Sequence, residues 1–148
     1  MKPSFKKTKF CFFSFFVFGE IFENFVEAFS EKFEAFTESR SWAINPPILF
    51  QREDGDEGEE EGPFIIGGEL KIFDTLKGNV DRDDDIRSYH DVKSIIDFLT
   101  DESFRYSAEI EFTLDGEDIG DISSGVVSEL LSDVLLGEWR KQLKLPES

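Results

Sequence analysis

The chain carries one histidine, His90, and one cysteine, Cys11, against 33 aspartates and glutamates in 148 residues. Nucleophilic catalysis needs a nucleophile, a base and a group that orients the base. One His and one Cys, far apart in sequence, assemble no such triad, and no Cys/His zinc site of the usual kind. Acid pairs exist, such as Glu109/Glu111 and the Asp115/Glu117/Asp118 group. Carboxylate catalysis requires two acids in a cleft with separated pKa values. Pairs on wet surfaces of a very acidic chain do not provide that. Asp81, Asp83 and Asp85 have the odd spacing that opens a calcium loop. However, its sixth position is Ile86 where Gly belongs, and its twelfth is Val92 where Glu belongs. Gly67-Gly68 lacks the spacing and the Lys-Ser/Thr ending of a phosphate loop. The expectation is therefore no enzyme, no cofactor and no metal, with His90 at a helix end or on the surface.

What the residues can do is present negative charge. Net charge is −17, and residues 20–148 hold 33 acids against 12 bases, a net of −21. Direct nucleic-acid binding is disfavoured, because phosphate contacts need Lys and Arg. A basic protein surface, such as that of a nucleic-acid-binding protein, is the complementary partner. Glu20, Glu23, Glu27, Glu31, Glu34 and Glu38 recur every three or four residues. On a helix that is a rise of about 4.5–6 Å per step, the spacing of a phosphate-like rail. Asp56, Glu57, Glu59, Glu60 and Glu61 belong to a run of seven acids between Glu53 and Glu61, and Asp83, Asp84 and Asp85 form a further acidic turn. These fourteen residues are the candidate partner-binding set. They suit an acidic protein-binding inhibitor that occupies a basic surface: a nucleic-acid mimic, or an immunity or antitoxin protein against a nuclease. The alternative is a structural subunit or adaptor that assembles through its N-terminal phenylalanines.

Those phenylalanines would position the rail. Twelve of the 18 lie in residues 1–36. On a helical wheel Phe15, Phe18, Phe22, Phe25, Val26, Phe29, Phe33 and Phe36 fall within about 100°, with the six glutamates roughly opposite. The pattern predicts a long amphipathic N-terminal helix whose Phe stripe must be buried, in the core or against a partner. A membrane surface is disfavoured because the polar face is acidic.

Beyond it, Asn45-Pro46-Pro47 breaks regular structure after an apolar touch-down at Trp42-Ala43-Ile44. The acidic run then reads as a solvated loop. From Pro63 the pattern becomes strand-like, with a bulge or turn at Gly67-Gly68. A helix follows over Ser88–Asp101, then a strand over Phe104–Leu114, a turn at Asp115-Gly116 and a last helix from Ser123 or Ser124 to Leu143. The predicted class is α+β: the long helix first, then a small antiparallel sheet with two packing helices in β-α-β-α order. The expected division is a helical arm at 1–44, a Pro/acidic linker at 45–62 and an α+β domain at 63–148.

Residues 1–19 imitate a secretory signal, with Lys2, Lys6, Lys7 and Lys9 ahead of a Phe-rich run and small residues near Gly19. The Phe content of that run, and the continuation of the stripe beyond it, argue for a cytoplasmic protein instead, with secretion after cleavage near Gly19 as the alternative. A single cysteine permits no internal disulfide and is consistent with a reducing compartment.

Overall fold

Nine consecutive uncharged residues, Phe10–Phe18, form the first strand, β1. The structure, a computed structural model, describes residues 10–18, 23–53, 64–74 and 81–145. The further strands are β2 (Ile48–Glu53), β3 (Phe64–Phe73), β4 (Glu109–Leu114), β5 (Glu117–Ser123) and β6 (Val126–Val127). They form one antiparallel sheet in the order β2-β3-β1-β4-β5-β6. The helices are α1 (Glu23–Glu38), α2 (Arg82–Tyr106) and α3 (Glu138–Leu143), the last continuing a π-helical segment over Leu130–Gly137.

The mixed α+β class holds. The long N-terminal helix does not: the first element among the described residues is a strand over Phe10–Phe18, and α1 spans Glu23–Glu38. The expected element order fails with it, since β1 and α1 come first and β2 precedes β3. The physical reason lies in β1. A run with Phe at both odd and even positions fits a period of two as well as one of 3.6. Strand pairing on both sides satisfies its backbone, to β3 with Phe13 opposite Leu70 and to β4 with Phe15 opposite Phe112. The stretch that imitates a secretory core is thus an interior strand of the sheet, and cleavage near Gly19 would remove it. No helix among the described residues is long and apolar enough to cross a membrane.

Alternation then divides β1 between two environments. Cys11, Phe13, Phe15 and Val17 point into the core. There α1 meets them as the wheel required: Val26, Phe29 and Phe33 are buried, with Phe25 and Phe36 packed beside them. Phe15 lies 6.4 Å from Phe29 and 5.6 Å from Phe33, centroid to centroid. Phe98 of α2 completes the cluster, stacked on Phe36 at 4.6 Å. Each buried Phe contributes roughly 1.5–3 kcal/mol.

Gly67 and Gly68 make no turn and lie within β3. They are small because aromatic rings lie on them. A Cβ at Gly68 would sit 2.4 Å from the Phe15 ring, and one at Gly67 would sit 2.5 Å from the Phe15 carbonyl oxygen and 2.9 Å from the Phe50 ring.

Helix α2 is longer than Ser88–Asp101. Asp83, Asp84 and Asp85 occupy its first turn, where carboxylates complement the helix dipole. Phe104 and Tyr106 lie in its last turn rather than in the strand, so the alternation that predicted a strand from Phe104 is real only in β4, from Glu109. Ser107 (φ 53°) ends the helix. Buried Ser103 Oγ donates to the Ala108 carbonyl at 2.6 Å and accepts the Gly125 N–H at 3.0 Å. Asp115 and Gly116 both have positive φ, as a two-residue hairpin turn requires. The turn is tied to β1: Asp115 Oδ1 accepts the Phe12 N–H at 2.8 Å.

Among the described residues, β1 and α1 share one sheet and one core with the elements from β3 onward, although the sequence reading divides them between an arm and a domain.

Candidate protein-binding surface

The even-numbered residues of β1 lie on the other face of the sheet. Phe10, Phe12 and Phe18 are 42, 43 and 39% exposed, and Phe16 is half-buried beside them. The neighbouring strands extend this aromatic band. Phe73 of β3 lies opposite Phe10 with ring centroids 5.5 Å apart, and Phe50 of β2 lies 5.7 Å from Phe16, over Gly67. Ile48 adds an exposed aliphatic side chain.

Carboxylates border the band on both sides. Glu69 is opposite Ser14 on β3, Glu109 and Glu111 are opposite Phe18 and Phe16 on β4, and Asp121 of β5 pairs with Glu111. All four are exposed. Among the described side chains of this face, Lys71 brings a cation, and its ammonium sits 4.2 Å from the centre of the Phe10 ring. Such a face can bury aromatic side chains against a partner while its rim attracts positive charge.

The predicted site residues do not converge on one place. Glu27, Glu31, Glu34 and Glu38 form an exposed row on α1, and Glu23 opens that helix. Because α1 packs on the core side, this row and the aromatic face belong to opposite sides of the sheet. Glu20, Asp56, Glu57, Glu59, Glu60 and Glu61 lie outside the described residues. Of the aspartate triplet, Asp83 is exposed, Asp84 lies 3.6 Å from Arg87, and Asp85 accepts the Trp139 indole N–H at 2.6 Å. Asp85 therefore fastens α3 to α2. Burial raises its pKa above the usual carboxylate value, and the Trp139 hydrogen bond opposes that shift.

Sequence reasoning missed the aromatic face, because assigning Phe10–Phe18 to a helix hides its odd–even division. It also missed Asp91, which is buried in α2. Asp91 accepts the Ala43 N–H at 2.9 Å and pairs with Arg40 at 3.0 Å, and the Arg40 guanidinium in turn covers the Trp42 ring. These contacts anchor the segment after α1. Burial still raises the Asp91 pKa, against the lowering by Ala43 and Arg40. His90 is exposed, next to Tyr89.

Compared with protein families, curated proteins and solved structures, the chain matches none.

Proposed function

We propose that this protein is an acidic binding protein, an inhibitor in kind, whose aromatic sheet face occupies a basic surface on another protein. A nucleic-acid mimic, or an immunity or antitoxin protein that blocks a nuclease, works in this way. The observation that carries the reading is an exposed aromatic band, Phe10, Phe12, Phe16, Phe18 and Phe50, set between carboxylates on β3, β4 and β5. Protein interfaces concentrate their binding energy in central aromatic anchors and surround them with a polar rim. The Glu row on α1 adds long-range attraction from the other side of the molecule. On this reading the protein transforms no substrate and resides in the cytoplasm.

The exposed aromatics also favour the adaptor reading, now through β1 instead of a helical stripe. Salt separates the two. An electrostatically steered contact weakens as salt screens it, whereas an apolar one persists. Affinity capture from the native host, in about 0.05 M and about 0.5 M salt (Debye lengths on either side of that at 0.1 M), tests this by mass spectrometry. The proposal expects a basic protein that elutes at the higher salt. Recovery of no basic protein, or of partners indifferent to salt, would overturn it.

A further inference from the structure

The core is incompletely filled between the β4–β5 hairpin and the π-helical segment. A cavity of about 250 Å³ opens there on the helix side of the sheet. Its floor is apolar: Phe13, Ile72 and Val92, all buried. At its border stand Leu130 and Val134, 43 and 53% exposed. Both belong to the π-helical segment, a rare backbone form found often at functional sites. Trp139 closes another side, its ring held by the hydrogen bond to Asp85.

The charged part of the lining has one sign, beside the neutral Gln142. Asp74, Asp118 and Glu138 contribute carboxylates, and no Lys, Arg or His lines the cavity among the described residues. Asp118 already accepts the Gly120 N–H at 3.0 Å, and Glu138 lies 3.8 Å from Lys141. A carboxylate has about four acceptor sites, so these contacts do not saturate it. An anionic ligand would be repelled, and a neutral apolar one would gain no attraction from the carboxylates. An apolar floor with an anionic border complements a molecule with an apolar body and a cationic head. We propose that this cavity is a binding site for a small apolar amine, an alkyl- or arylalkylammonium ion, with its hydrocarbon over Phe13 and Trp139 and its ammonium toward the carboxylates.

The test compares three probes of like size on the full chain: phenethylamine, 2-phenylethanol and phenylacetate. Binding is followed by calorimetry and by tryptophan emission, with Trp139→Phe identifying the Trp139 signal. The amine should bind saturably and about tenfold more tightly than the alcohol, and phenylacetate should not bind, because opposite charges near a protein surface interact appreciably at contact distance. Val134→Lys, at an exposed position, should weaken the amine about tenfold by placing a cation at the border. Glu138→Gln, also at an exposed position, should weaken it about threefold. Circular dichroism confirms that both variants remain folded. Equal affinity for the three probes, no saturable binding, or amine binding indifferent to Val134→Lys would overturn the proposal.

Discussion

Asp91 carries a carboxyl group in a place that water scarcely reaches. Burial lifts its pKa above the ordinary 3.8, so the folded state holds the proton more tightly than the unfolded chain. The stability linked to that proton is complete below about pH 3.8 and is lost as pH rises through the higher folded-state value. Asp91→Asn removes this dependence along with the Arg40 ion pair. The advantage of the wild type over Asp91→Asn, measured by urea unfolding, should therefore be larger at pH 3 than at pH 7. An advantage that grows toward pH 7 would contradict it. Lys32 is a second decisive residue. Its ammonium donates to Tyr106 Oη at 2.9 Å and lies 3.7 Å from the buried carboxylate of Glu102. Glu102 has a further cation in Arg105 Nε, at 3.7 Å. Lys32→Met leaves the buried Glu102 carboxylate less compensated, so it should cost about 1–3 kcal/mol of stability. Glu102→Gln removes the buried charge and should cost less. Equal losses in thermal or urea unfolding would show that burial of the charge is not the issue. In the sequence Lys32 stands out as the cation among the helix glutamates, but its partners lie about 70 residues further on and no local pattern points to them.

At the scale of elements, what could be read ahead followed from unambiguous periods. The α1 face from Phe25 to Phe36, the alternation of β4 and the Asp115-Gly116 turn each leave one solution. Phe10–Phe18 does not, because a continuous aromatic run carries no period, and only its partners decide between helix and strand. Its neighbours do carry a trace of the answer. Gly67-Gly68 within a strand signals close approach of another group, here the rings of Phe15 and Phe50. Gly68→Ala should therefore destabilise the protein by about 1–3 kcal/mol through overpacking against Phe15. Phe15→Leu, which makes room, should recover part of that loss in the double variant. Strictly additive losses in urea unfolding would mean that the ring is not what excludes the methyl group. The last helix was legible as a helix, but its start was not, since Ser123 ends β5 and Ser124 turns into β6, and neither were its π-helical turns, since hydrophobic spacing does not report an i→i+5 ladder.

For the molecule as a whole, the proposed function is divided between charge and aromatic surface. Carboxylates appear on both sides of the sheet, so under the proposed function a basic partner would be attracted from many directions. The aromatic band is confined to one face, and the proposal seats specific contact there. The candidate residues read from the sequence are all carboxylates, because charge is visible in composition while exposed aromatics become visible only once strand faces are known. The account's central claim is that binding is seated on the sheet face of β1. The most direct measurement takes the basic protein captured from the native host and determines its affinity by calorimetry for the wild type and two variants. Phe12→Ser/Phe18→Ser should weaken binding at least a hundredfold, the loss of two aromatic anchors. Glu27→Gln/Glu31→Gln, on the opposite side, should weaken it less than about tenfold and mainly slow association. The reverse order, with the α1 variant losing the partner and the β1 variant keeping it, would contradict the account.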